Sequence, residues 1–138
     1  MTRQQKWAHE ALKRVQKHQG AEASESKYRT LCLKMPSLLK QSGLVQSLAF
    51  IRARDEIGKT FCDELAEVYG ASLADGKGRT GEELQQQAQT AQLSAYLILS
   101  RDLIEVSVWF RRFAQSELKD ASEKSVEDQG ATHAGAQS

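Results

Sequence analysis

Residues 93–118 have the sequence LSAYLILSRDLIEVSVWFRRFAQSEL, and we expect the rest of the chain to pack around them. The large apolar residues of this stretch recur at alternating steps of three and four, which places them on one stripe of a single α-helix. Further apolar positions widen this stripe beyond a coiled-coil seam, so we expect several other helices to pack around it. Burial of each large apolar side chain contributes about 1.5–3 kcal/mol, which makes this helix the predicted hub of the core. The stripe consists of Tyr96, Leu99, Leu103, Val106, Phe110 and Phe113, and the positions that widen it are Leu97, Ile104, Val108 and Trp109.

The composition of the 138-residue chain favours helices throughout. The chain contains one Pro, nine Gly that fall mostly between patterned segments, and many Gln, Ala, Leu, Lys and Glu residues. We predict an all-α fold, a single compact bundle of about five or six helices over residues 1–118. Residues 119–138 contain Val126 as their one large apolar residue, which predicts a disordered polar tail.

Four helices are predicted ahead of residue 74 from the spacing of apolar residues. Gly20 and Gly43 suit the positions that close the first and second helices, because glycine readily adopts the left-handed backbone conformation found there. Pro36 falls within the second segment, where it either kinks the helix or begins a new one. Phe50 is expected to broaden the buried stripe of the third helix. The predicted ranges are 3–19, 25–41, 44–54 and 56–73.

Residues 74–81, ADGKGRTG, form the one clear internal loop of the sequence. Its glycines do not indicate a phosphate-binding loop, since no GK[ST] sequence follows a strand here. Thr80 and Glu83 have the spacing of a capping box, which predicts that a glutamine-rich helix begins directly after the loop. This helix either continues unbroken into the 93–118 helix or bends near Thr90, and the sequence leaves both alternatives open.

Charge is distributed unevenly along the chain, although the formal net charge is only +1. Residues 1–54 hold 11 Lys/Arg and 3 Asp/Glu, whereas residues 55–138 hold 8 Lys/Arg and 15 Asp/Glu. One interpretation is a basic face for a polyanion and an acidic face for a neighbouring protein. The alternative is that the two halves interleave in the fold and their charges mix.

The sequence offers few of the residue constellations that catalysis needs. None of the three histidines is spaced to share a metal with another, and the carboxylates of Asp63 and Glu67 alone are a thin shell for a cation. Cys32 and Cys62 lack zinc or redox spacing and lie beside apolar stripes, which predicts reduced core thiols. We therefore predict a protein that is not an enzyme and that carries no metal and no cofactor.

The sequence shows neither a signal peptide nor a membrane-spanning segment. MTRQQKWAHE has no apolar core region, and no apolar run approaches the roughly 20 residues that a membrane-spanning helix needs. We expect a cytoplasmic protein with no membrane partner and no small-molecule substrate.

Three segments together resemble one known family, the small helical subunit of the type III-B CRISPR effector, also called the Cmr complex or RAMP module. They are RQQKWAHEALKRV, KMPSLLKQSGLVQSLAFIRAR and YLILSRDLIEVSVWFRRFAQSEL, and the likeness covers residues 3–118. The middle segment is the most specific, because it joins a Pro, two aliphatic residues, a Gly-Leu pair, an Ala-Phe pair and a basic residue. The aromatic and basic WFRRFA is the second signature. The order and spacing of the segments carry the resemblance.

The resemblance implies a non-catalytic subunit that acts in antiviral defence. Members of this family are compact helical bundles, and several copies stack as a minor filament beside the guide-bearing backbone subunits. The implied partners are the large subunit, the backbone RAMP subunits, further copies of the chain itself, and guide and target RNA. In RNA-guided effectors base pairing reads the sequence, whereas protein contacts read the shape and charge of the nucleic-acid backbone.

A subunit of this kind needs Lys and Arg side chains that contact phosphates regardless of base sequence. The alternative function is a stand-alone helical adaptor that binds a protein partner and no nucleic acid. A helix-turn-helix DNA-binding protein is disfavoured, because no short Gly turn precedes a basic recognition helix. The predicted nucleic-acid-binding residues are Arg54, Arg111 and Arg112, followed by Arg14, Lys17, Lys40 and Arg52.

Overall fold

Six α-helices make up the part of the chain that the computed structural model describes, which is residues 1–75 and 79–120. They confirm the predicted all-α fold. Residues 76–78 of the predicted loop and residues 121–138 of the predicted tail lie outside the described residues. The helices are α1 (Arg3–Gln16), α2 (Ala23–Ser42), α3 (Leu44–Arg54), α4 (Glu56–Ala71), α5 (Gly81–Thr90) and α6 (Leu93–Glu117).

The last helix, α6, packs mainly against α2 and α1 and also contacts α4. The hub of the bundle is α4 and not the predicted α6, because α4 packs against each of the other five helices. The helices α3 and α5 also pack against each other. Leu99, Leu103 and Phe110 are buried. Tyr96 and Phe113, at the two ends of the stripe, are partly buried and packed against the core.

A line of aromatic rings connects four segments through the core. Phe61 in α4 lies edge-on to both Tyr28 in α2 and Phe110 in α6, and the ring centroids are 5.7 Å apart in each pair. His18, in the turn after α1, stacks on Tyr28 at 3.6 Å. Aromatic pairs in these geometries contribute about 0.5–1.5 kcal/mol beyond their buried area. The line therefore ties the end of α1 to α2, α4 and α6.

Several helix ends lie where the local sequence signals predicted them. Thr80 Oγ1 accepts a hydrogen bond from the Glu83 N–H at 3.1 Å, and the reciprocal bond completes the capping box of α5. Gly43 has a φ of +81° and separates α2 from α3. Residues 91–92 are extended and interrupt the helix, so residues 81–118 contain two helices and not one.

The first helix ends three residues earlier than predicted. The N–H groups of Lys17, His18 and Gln19 each bond to the carbonyl three residues back, which is the tighter spacing of a 3₁₀ turn. Gly20, with a φ of +75°, follows this turn. The glycine therefore lies after the tightened turn and not directly after the α-helix.

The second helix runs without interruption through Pro36. Proline has no N–H, so the helix forgoes one of its internal hydrogen bonds at this point. Met35, Pro36 and Leu39 are all buried, and this packing offsets the lost bond. The structure thus contains a single helix here and no second one beginning at the proline.

Two residues that the sequence assigned to buried stripes are exposed: Phe50 is 59% exposed and Leu97 is 57% exposed. At about 100° per residue, Phe50 lies about 200° around α3 from the buried Leu48, and Leu97 lies at the same angle from the buried Leu99. The predictions for Phe50 and Leu97 were wrong, because the core covers only one side of each helix at these positions.

Candidate nucleic-acid interface

The basic and acidic halves of the sequence interleave in the fold. The Arg14 guanidinium of α1 lies 2.7 Å from a Glu10 carboxylate oxygen and 2.9 Å from one of Glu67 in α4. Arg3 pairs with the buried Asp102 of α6 at 3.1 Å. The structure therefore favours the alternative in which the charges mix, and it does not divide the molecule into a basic half and an acidic half.

Carboxylates in and near α4 are used for contacts inside the bundle. The Asp55 side chain caps α4 by accepting a hydrogen bond at 2.8 Å from the backbone N–H three residues later. The Asp63 carboxylate accepts from the Gly81 N–H at 2.7 Å and so joins α4 to the start of α5. The Glu67 carboxylate is held by Arg14. This acidic segment therefore stabilises the fold, and both members of the Asp63 and Glu67 pair bond within the protein.

A buried polar cluster joins the turn after α1 to α2 and α4 at Glu64, which is 8% exposed. One oxygen of the Glu64 carboxylate lies 2.9 Å from His18 Nε2, and the other accepts a hydrogen bond from the Tyr28 hydroxyl. Burial raises the pKa of Tyr28 well above its usual value, and the neighbouring Cys32 and Glu64 raise it further. Tyr28 therefore remains a donor near neutral pH, and the buried carboxylate has both of its oxygens paired.

Both cysteines are buried and unpaired. Burial raises the pKa of Cys62 to about 12 and raises the pKa of Cys32 well above its usual value. The thiolate is the nucleophilic form of cysteine, so both side chains stay protonated and unreactive at neutral pH. This agrees with the predicted core thiols.

Neither a metal-binding cluster nor a membrane-spanning helix is found in the part of the chain that the structure describes. No group of three or more His, Cys, Asp and Glu residues there is arranged to hold a metal ion. None of the described helices is both long and apolar enough to cross a membrane.

Most of the predicted nucleic-acid-binding residues are exposed. Arg54 lies at the end of α3, Lys17 follows α1, and Lys40 lies in the last turn of α2. Each of these three cations lacks an ion-pair partner within the described residues 1–75 and 79–120. Their charges therefore remain available to a phosphate.

Arg111 and Arg112 lie exposed near the end of α6, beside a half-buried tryptophan. The Arg112 guanidinium lies 4.9 Å from the centroid of the Trp109 ring, a cation–π distance. Trp109 stacks on Phe113 at 5.9 Å and donates its Nε1–H to Gln4 Oε1 at 2.8 Å. The tryptophan is thus fixed from two sides and holds Arg112 in place at the surface.

Two of the predicted residues are already engaged by the protein. The Arg14 side chain is 16% exposed and held by two carboxylates. Arg52 is half-buried and donates to Gln85 Oε1 in α5. These contacts weaken the case for a phosphate contact at Arg14 and Arg52, and they depend on neighbours that only the tertiary structure brings together.

A groove that the sequence analysis did not single out runs between α2 and α3. Two cavities of about 310 Å³ and 200 Å³ adjoin there, and Arg54 lines both of them. Lys27 and Thr30 line the first cavity, and Lys34 and Phe50 line the second. The signal in the sequence was periodic, because steps of three and four place Lys27, Thr30 and Lys34 on one face of α2.

The fold and this surface are those of a small all-α bundle with exposed cations that have no ion-pair partner within residues 1–75 and 79–120. The family model described as CRISPR-associated protein (Cas_Cmr5) matches residues 3–117. The chain therefore belongs to the Cas_Cmr5 family, which confirms the resemblance seen in the sequence.

Similarity to this family extends along most of the chain. The chain is 37% identical over 120 residues to the CRISPR system Cmr subunit Cmr5 of Thermus thermophilus. The matched residues make up 86% of this chain and 98% of that protein. The crystal structure of a CRISPR-associated Cmr5 family protein from the same organism matches with a TM-score of 0.78 and 37% identity, covering 86% of this chain and 100% of that one. Sequence and fold thus agree on the same family.

Proposed function

We propose that this protein is a non-catalytic small subunit of a type III-B Cmr complex, an RNA-guided effector that targets RNA in antiviral defence. Membership of the Cas_Cmr5 family supports this proposal. A relative of nearly the same length is a subunit of a CRISPR Cmr system. The subunit forms part of the minor filament and contacts the backbone of guide or target RNA.

One observation carries the RNA-binding part of the proposal. Acidic side chains of the bundle are used as caps and internal partners, whereas Lys17, Lys40, Arg54 and Arg111 are exposed and have no ion-pair partner among the described residues. Free cations of this kind suit sequence-independent contacts with phosphates. Each contact with a single strand is expected to contribute about 0.7 to the slope of log affinity against log salt.

The partners in this proposal are the large subunit, the backbone RAMP subunits and further copies of the chain. Leu93, Leu97 and Ile98, in the first turns of α6, are exposed large apolar residues. Clustered exposed apolar side chains are typical of protein contact surfaces. This cluster supports packing against a neighbouring protein subunit.

The second candidate function is a stand-alone helical adaptor without nucleic-acid binding. The mixing of charges, as in the Arg14 and Glu67 pair, favours it. The apolar start of α6 suits either function, because both require a protein contact. RNA retention by the assembled complex is the measurement that separates the two.

The test compares complexes assembled with wild-type protein and with the double variant Arg111→Glu, Arg112→Glu. We expect normal assembly, reduced RNA retention and a salt slope smaller by about 1.4, since two phosphate contacts are lost. The double variant Lys6→Glu, Lys59→Glu is the control, because it changes the net charge equally at exposed positions on α1 and α4. Unchanged retention and an unchanged slope for Arg111→Glu, Arg112→Glu would contradict the proposed contacts there.

A further inference from the structure

The groove between α2 and α3 brings together cations from two helices. Lys27 and Lys34 are separated by two helical turns on α2, about 10 Å at a rise of 1.5 Å per residue. Phe50 and Arg54 are one turn apart on α3 and face the same groove. Arg54 lines both cavities, beside Lys27 in the first and beside Lys34 and Phe50 in the second.

Among the residues that the structure describes, little negative charge offsets the cations of this groove. Lys27, Lys34 and Arg54 are exposed and have no ion-pair partner within the described residues. Asp55 is the one carboxylate among the described lining residues, and its side chain is engaged as the cap of α4. Three cations therefore face one carboxylate, and that carboxylate already accepts a hydrogen bond.

The aromatic ring in this groove is unusually accessible. Phe50 is 59% exposed, although it adjoins a cavity whose other lining residues are mostly apolar or cationic. Sequence-independent binding of single-stranded nucleic acid combines a cationic groove with aromatic rings on which bases stack. Phe50 and its three neighbouring cations supply both parts of this combination.

Resting on the proposed function, we propose that the α2–α3 groove binds one or two nucleotides of single-stranded RNA. Lys27, Lys34 and Arg54 contact the phosphates, and Phe50 stacks on a base. An unpaired base can reach the ring, whereas a base inside a duplex remains stacked on its neighbours. A protein segment fits less well, because lysine is depleted in the buried cores of protein interfaces and each of these three cations would need its own carboxylate there to offset the loss of water.

The experiment measures binding of a fluorescein-labelled uridine 12-mer to the full chain by anisotropy over a series of salt concentrations. Phe50→Ala is expected to weaken binding about 5- to 30-fold with an unchanged salt slope, because it removes a stacking contact and no charge. The triple variant Lys27→Gln, Lys34→Gln, Arg54→Gln is expected to lower the slope by about 2, from three lost phosphate contacts. Thr90→Ala, a change without charge at an exposed position on α5 outside the groove, is the control and should bind like wild type.

A second measurement detects the base on the ring directly. In the Phe50→Trp variant, stacking of a base is expected to quench the fluorescence of the new indole when the 12-mer binds. The Thr90→Trp variant is the matched control, and it should show no quenching beyond that of the native Trp7 and Trp109 in the wild-type chain. Circular dichroism of each variant confirms that the helical fold is retained.

Distinct outcomes separate failure of the groove from failure of the proposed function. If Phe50→Ala and the triple variant bind RNA like wild type while Arg111→Glu, Arg112→Glu loses binding, the groove and the contact at Arg54 are wrong, and the proposed function stands on the remaining cations. If Phe50→Ala blocks assembly into the complex but leaves RNA affinity unchanged, the groove is a protein contact and the inference is overturned. If neither the wild-type chain nor its assembled complex retains RNA, the proposed function and the inference both fail.

Discussion

On one side of α2 a charged group is buried and paired, whereas on the other side charged groups are exposed and lack ion-pair partners among the described residues. Toward α4, the buried Glu64 has one oxygen beside His18 and the other bonded to Tyr28. Toward α3, Lys34 and Arg54 are exposed and lack ion-pair partners among the described residues. The comparison shows that pairing within the fold, more than the sign of the charge, decides which groups remain available to another molecule.

The physical reason for this difference is the cost of removing a charge from water. A buried carboxylate must be paired, because desolvation without partners costs several kcal/mol. An exposed lysine or arginine keeps its hydration, and an ion pair at the surface contributes only about 0–1 kcal/mol. A charge in the interior must therefore be paired, whereas cations in the groove can remain without an ion-pair partner at little cost to stability.

The largest expected contrast is between two phenylalanines. Phe61→Ala should lower the free energy of unfolding by about 3–5 kcal/mol, because Phe61 is fully buried between two aromatic neighbours. Phe50→Ala should lower it by less than about 1 kcal/mol, since the ring is mostly exposed. Urea unfolding of both variants measures the difference. Equal losses would mean that the groove ring is part of the core.

Substitutions of Glu64 test how much the paired, buried carboxylate contributes to the stability of the fold. Glu64→Ala should lower the free energy of unfolding by about 3 kcal/mol, because it leaves the Tyr28 hydroxyl and His18 without their acceptor. Glu64→Gln, which keeps the shape and one acceptor oxygen, should cost about 1–2 kcal/mol. Urea unfolding again provides the measurement. A loss below about 1 kcal/mol for Glu64→Ala would show that the cluster contributes little to stability.

Asp55 lies at the boundary between the two kinds of charge, because it caps α4 and also lines the groove. Asp55→Ala should cost about 1 kcal/mol of stability through loss of the cap. Asp55→Asn keeps a side chain that caps equally well, so its stability should be nearly unchanged. We expect Asp55→Asn to bind RNA about 2- to 5-fold more tightly, since it removes the carboxylate from the groove. Weaker binding by Asp55→Asn would contradict the assignment of the groove to RNA.

Substitution of Lys34 is expected to have the smallest effect on the stability of the fold. Lys34→Gln should change the free energy of unfolding by no more than about 0.5 kcal/mol, because the side chain is exposed and makes no ion pair among the described residues. Thermal unfolding measures this directly. A loss above about 1 kcal/mol would indicate that Lys34 supports the bundle, and the contrast between the two sides of α2 would then disappear.

Local signals predicted many features of the fold. The predicted range of the third helix coincides with Leu44–Arg54, because Gly43 precedes it and the capping residue Asp55 follows it. The capping box at Thr80 is likewise local, since its bonds span three residues. Phe50 could not be assigned in the same way, because an apolar residue beside a stripe is buried only if a neighbouring helix covers that side.

The candidate site was predicted only in part for a related reason. Arg54, Arg111 and Arg112 are exposed as a nucleic-acid contact requires, and their contact with RNA stays a prediction. Arg14 had the same appearance in the sequence, but the fold places Glu67 beside it. Glu67 lies 53 positions after Arg14 along the chain, so local spacing cannot reveal this ion pair.

Helical periodicity, caps and the order of packing residues are properties of neighbouring positions, and they were enough to predict the all-α fold, the buried stripe of α6 and the family. The packing of the helices against one another determines which side of each helix is covered and which charges are paired. It also brings Phe50 and Arg54 of α3 beside Lys27 and Lys34 of α2. The physical reason is that burial and pairing depend on which helices approach each other, and that arrangement is settled by the packing of the whole core.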